Sequence, residues 1–77
     1  MKSKYRIVVK KDAFSFIAEC PTLGPSAWGR GQTEQEAIED LEEVIEGMAA
    51  YLHDRGLRLP EPTEEDRLAE KEDASHV

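Results

Sequence analysis

The apolar positions of this chain change period once, and the change separates a sheet-forming stretch from a helix. From Tyr5 to Lys10, Tyr5, Ile7 and Val9 alternate with Arg6, Val8 and Lys10, and β-branched residues at that spacing predict a strand. Lys11, Asp12 and Ala13 make a polar break short enough for a hairpin turn. Phe14 to Cys20 predicts a second strand, with Phe14, Phe16, Ala18 and Cys20 on one face and Ser15, Ile17 and Glu19 on the other. Pro21, Gly24 and Pro25 then enforce an irregular loop. Ser26 to Arg30 predicts a short third strand containing Trp28, with Gly29 and Gly31 weakening it or marking a bulge.

The period then becomes helical. Thr33 is a good N-cap, and Glu36 three residues later completes a capping box. Ala37, Ile38, Leu41, Val44, Ile45, Met48, Ala49 and Leu52 follow as one continuous apolar stripe. Arg55 complements the C-terminal dipole, and Gly56 supplies a left-handed cap. Gly47 interrupts the interior at about 1 kcal/mol, a cost that points to close approach by another backbone. Leu57, Arg58 and Leu59 alternate briefly before Pro60-Glu61-Pro62, which predicts a very short fourth strand at a sheet edge. The expected architecture is α+β, a three-stranded antiparallel sheet packed by one long helix, in the order β-β-β-α-β. Residues 1–62 form that domain. Residues 63–77 read as an acidic, flexible tail, since a helix capped by Thr63 and Asp66 has almost nothing to bury.

One helix covers only one face of such a sheet. With Ile7, Val9, Phe16 and Ala18 under the helix, alternation sends Val8 and Ile17 to the other face, and Trp28 is placed with them. This apolar set is the expected self-association surface, and a third strand with an open edge offers a second route by strand addition. A two-fold dimer is the commonest closed arrangement, with a tetramer next.

Composition narrows the function. At 77 residues the chain is at most one small domain, for which oligomerisation commonly supplements a thin core. One cysteine excludes an intrachain disulfide framework and a cysteine-based zinc site. No apolar run approaches a spanning helix, and the N-terminus lacks the apolar stretch of a signal peptide, so a cytoplasmic protein without membrane contact is expected. Charge is segregated, with a net of +4 over residues 1–32, -7 over residues 33–56 and -4 over residues 57–77. An acid-rich chain is a poor binder of phosphate backbones, so nucleic acid is not an expected partner and a basic protein is. Glu39, Glu42, Glu43 and Glu46 on the polar side of the helix are the candidate docking residues; a merely solvated face is the alternative.

Chemistry is harder to find. His53 and His76 have no Cys or second His at ligand spacing, which argues against a metal site, and no cofactor is expected. Cys20 reads as a small buried hydrophobe. Ser15 and Ser26 lack the strand–turn–helix context of an activated serine. Gly29-Arg30-Gly31 is too short for a phosphate loop, and the helix behind it opens with Glu34 and Glu36, which repel phosphate. No residues stand out as catalytic.

Read in order, Tyr5-Arg6-Ile7-Val8-Val9, Phe16-Ile17-Ala18-Glu19-Cys20-Pro21, Leu23-Gly24-Pro25, Gly31-Gln32-Thr33, Glu36-Ala37 and Leu59-Pro60-Glu61-Pro62 resemble the HicB-like antitoxin family over residues 4–62. Where the family has Leu-Pro-Gly, this chain has Leu23-Gly24-Pro25, with about one extra residue before Trp28. The resemblance implies a partial ribonuclease-H-like fold without that enzyme's catalytic carboxylates. It also implies a partner, a small basic HicA-type toxin that cleaves messenger RNA and is blocked by the antitoxin. The segment after Pro62 is too short for the family's DNA-binding module. Two other readings stay open. One is a small nuclease, which needs two or more carboxylates converging on a metal, whereas Glu19 is the only carboxylate in the three predicted strands. The other is a homo-oligomeric structural or ligand-binding protein with no toxin partner.

Overall fold

The computed structural model describes residues 4–68. Strands β1 (Val8–Lys11), β2 (Phe16–Glu19) and β3 (Trp28–Gly31) form an antiparallel sheet in that order, and helix α1 (Glu34–Asp54) lies across it. A short 3-10 turn, Pro21–Leu23, leads from β2 into the loop before β3. The class and the layer arrangement are those the periodicity predicts.

The strands are shorter than their apolar patterns because competing partners take the ends. Before β1, the Arg6 N–H goes to the Asp66 carboxylate, and the Tyr5 hydroxyl donates to the Pro60 carbonyl at 2.7 Å. In the hairpin, Lys11 faces Phe16, and the Asp12 N–H donates to the Ser15 carbonyl at 2.8 Å. Phe14 therefore sits in the turn, 90% exposed, rather than in the strand. The third strand starts at Trp28, two residues later than predicted, because the Ala27 N–H turns back to the Gly24 carbonyl.

Gly29 and Gly31 neither weaken β3 nor mark a bulge. They are the seat of the helix. A Cβ built on Gly29 would come closer than 3.0 Å to the backbone of Ala37, Asp40 and Leu41, and one on Gly31 would meet Glu36 and Ala37 as closely. The helix therefore rests on β3 backbone against backbone. The layer between is correspondingly thin. Ala18, Cys20, Ala27, Ala37 and Leu41 are the buried hydrophobic residues, and Leu41 alone among them is large. Tyr5, Ile7, Val9, Phe16, Leu23, Ile38, Ile45 and Met48 pack around them half-buried.

Both helix ends follow the sequence. The Thr33 hydroxyl accepts the Glu36 N–H at 3.1 Å, and the Glu36 carboxylate reaches one residue further back than in a standard box, to the Gln32 N–H at 2.8 Å. At the other end Gly56 adopts φ 74°, its N–H donates to the His53 carbonyl, and the Leu57 N–H donates to the Leu52 carbonyl at 2.8 Å. That pair of bonds is a Schellman cap. It also accounts for the missing fourth strand: Leu57 is used to close the helix, and Pro60 and Pro62 have no N–H to give a ladder. Among the described residues of one chain the expected close approach at Gly47 is absent, with nothing within 4 Å of a Cβ placed there.

Candidate protein-binding surfaces

Helix α1 carries eight acidic residues and no Lys or Arg. Three of these are occupied locally. Glu36 caps the helix start, Glu34 lies in the first turn near the positive dipole end, and Asp40 accepts the Arg30 N–H at 3.0 Å. Arg30 and Trp28 are the β3 residues whose backbone groups point away from β2, since the Cys20 N–H donates to the Ala27 carbonyl and fixes the alternation. Asp40 thus covers part of the free edge of β3, the edge expected to stand open for strand addition. Glu39, Glu43 and Glu46 lie on the side of the helix away from the sheet, and Glu42 flanks them. Glu39, Glu43 and Glu46 are exposed and Glu42 is half-buried. Gln35 donates to Glu39 at 3.1 Å. Neither ion pair among the described residues reaches this face. Lys10–Glu19 at 3.3 Å and Arg30–Asp12 at 4.0 Å both belong to the sheet and its hairpin.

The far face of the sheet gathers Val8, Ile17 and Trp28 but does not join them. The register sets Val8, Glu19 and Trp28 in one cross-strand row and Lys10, Ile17 and Arg30 in the next. The apolar residues alternate with charged ones, the Lys10–Glu19 pair runs diagonally between them, and the Arg30 guanidinium lies 6.0 Å from the Trp28 ring. Val8 and Ile17 are half-buried, and Trp28 is 46% exposed.

Asp66 is the feature that sequence reasoning undervalued. Residues 64–68 are helical, Thr63 caps them, and Asp66 is 1% exposed. Its carboxylate accepts the Arg6 N–H at 2.6 Å, the Thr63 N–H at 2.7 Å, the Thr22 hydroxyl at 2.8 Å and the Thr63 hydroxyl at 3.0 Å. Burial pushes its pKa upward, but these donors outweigh burial and hold it at about 2. One carboxylate thereby ties together the approach to β1, the turn after β2 and the segment after Pro62. The Thr63-x-x-Asp66 spacing was the available signal. What it could not reveal was that Arg6 and Thr22 lie within reach. The rest of the acidic segment, including His76, lies outside the described residues.

No family model, curated protein or solved structure matches this chain. Among the described residues no three His, Cys, Asp or Glu side chains are grouped to hold a metal ion, and no helix is long and apolar enough to cross a membrane. Cys20 is fully buried, and burial raises its thiol pKa, the opposite of what an attacking thiolate needs. Glu19 points to the far face and pairs with Lys10. Among the described residues, the acidic side of α1 and the charge-laced far face of the sheet are two surfaces open to a macromolecule.

Proposed function

We propose that this chain is a non-catalytic protein-binding module of the HicB-like antitoxin type. In this reading it neutralises a small basic HicA-type toxin, in the cytoplasm, by docking it on Glu39, Glu42, Glu43 and Glu46. The observation that carries the reading is that side of α1: acidic, turned away from the sheet and without a compensating Lys or Arg on the helix. The β-β-β-α order and the resemblance of residues 4–62 to the HicB-like family support it. Like-signed carboxylates held on a rigid helix accelerate encounter with a basic surface and select against acidic ones, while adding less to final affinity.

The test uses the product of a small basic toxin-like reading frame beside this gene. Replacing Glu39, Glu42, Glu43 and Glu46 by Gln should slow association about tenfold or more at low salt and flatten its salt dependence, with the circular dichroism unchanged. An unchanged association rate, or the absence of any such partner, overturns the proposal. A second reading, a homo-oligomeric protein without a toxin partner, is favoured by the half-exposed Trp28 on the same sheet face as Val8 and Ile17. It predicts a dimer or tetramer that Trp28→Ser disrupts.

A further inference from the structure

We infer that α1 is also a dimerisation helix, and that a second copy of this chain lies antiparallel along the hollow formed by Val44, Gly47, Met48, Tyr51 and Leu52. This surface borders the acidic docking face, since Glu43 continues the Gly47–Tyr51 row toward the N-terminus, and the inference does not rest on the toxin reading. Val44, Met48 and Leu52 make one row at four-residue spacing, and Gly47, Tyr51 and Arg55 make the next. Such rows are the ridges through which helices pack. The second row is broken at Gly47, which is exposed and has open space where a Cβ would stand. Tyr51 is 57% exposed, and the Arg55 guanidinium lies 4.4 Å over its ring. A glycine in mid-helix weakens the isolated helix. Its gap serves nothing within one copy.

Charge selects the occupant and its direction. Residues 34–46 carry seven acidic residues and no Lys or Arg, with Asp40 and Glu43 continuing the two rows of the hollow, whereas the second row ends at Arg55. Two copies side by side in parallel would set acid against acid. An antiparallel pair sets the acidic half of each helix beside the Arg55 end of the other. A two-fold contact has this self-matching property, since residue i meets j and j meets i. With the axis near Gly47 and Met48, each Met48 enters the gap at the partner's Gly47, and each Tyr51 faces the partner's Val44. The nearby edge of β3 is partly closed by Asp40, which leaves the helix rather than strand addition as the contact on this side.

Sedimentation equilibrium of the full chain at micromolar concentration should give a dimer of the 8.7 kDa chain. Gly47→Gln fills the gap with a better helix former, so it should raise the dimer dissociation constant about tenfold or more while leaving the circular dichroism intact. Direction is read by disulfide trapping, because Cys20 is buried and does not compete. Chains carrying Val44→Cys mixed with chains carrying Tyr51→Cys should cross-link with each other faster than either does with itself. A monomeric wild type overturns the inference. So does a dimer that tolerates Gly47→Gln but is broken by Val8→Ser with Ile17→Ser, or one in which like cysteine variants trap fastest.

Discussion

Removing the Asp66 charge while keeping its shape, as in Asp66→Asn, should cost about 2 kcal/mol near neutral pH and almost nothing in strong acid. The magnitude follows from the site. The carboxyl falls from an ordinary value of 3.8 to about 2 in the folded chain, and each tenfold change in acidity is worth about 1.4 kcal/mol. Because the folded value is the lower one, the stabilisation is complete above about pH 4 and fades as pH falls through about 2. The direct bonds give a similar figure. An amide presents one oxygen where the carboxylate uses two, so of the Arg6 N–H at Oδ1 and the Thr63 N–H at Oδ2 one must lose its acceptor. A hydrogen bond to a charged group contributes about 1.5–3 kcal/mol. Urea denaturation of wild type and Asp66→Asn across a pH series measures the difference. Hydrogen exchange at the Arg6 amide shows whether the loss is global or confined to detachment of residues 63–68. Two stability profiles that run parallel from neutral pH into acid, with Arg6 equally protected in both, would refute the reasoning.

Two further substitutions probe the layer beneath the helix. Leu41→Ala should destabilise the fold by about 2–5 kcal/mol, since Leu41 is the largest fully buried side chain among the described residues and the alanines around it cannot expand into the cavity; thermal or urea denaturation decides. Gly29→Ala should cost at least about 1–3 kcal/mol despite adding a single methyl group, because the atoms it meets are helix backbone that cannot rotate away. A Gly29→Ala protein as stable as wild type would mean that the helix can lift off β3.

The helix was the most legible element because its signals agree. Thr33, Glu36, the apolar stripe and Gly56 each specify the same boundaries, and the structure uses all of them. The strands were legible in face but not in extent. Alternation correctly set Val9, Phe16 and Ala18 under the helix, while the ends at Tyr5, Phe14 and Ser26 depended on partners that no local pattern reports. The glycines of β3 were misread for a related reason. Their role is defined by what lies above them, and periodicity describes only a strand's own residues. At the candidate surfaces, Glu39, Glu43 and Glu46 were legible as exposed, whereas the half-buried Glu42 was not told apart from them. The interleaving of Val8, Ile17 and Trp28 with Lys10, Glu19 and Arg30 was not, because it follows from register rather than from any single strand.

The seat at Gly29 and Gly31 bears on the order in which the chain folds. Its contacts join residues between five and twelve positions apart, Gly31 to Glu36 and Gly29 to Leu41, so this backbone-on-backbone packing closes over very little intervening chain. Loop-closure entropy grows with separation, and contacts this local can form before the one between Arg6 and Asp66, sixty residues apart. The strand and helix then act as a preformed platform, and the N-terminal hairpin joins it by adding β2 to one edge. Read in folding kinetics, Gly29→Ala should therefore slow refolding by most of its equilibrium cost, whereas Asp66→Asn should act on the unfolding rate. The glycine pair thus links the geometry of the finished sheet to the first contacts the chain makes on its way there.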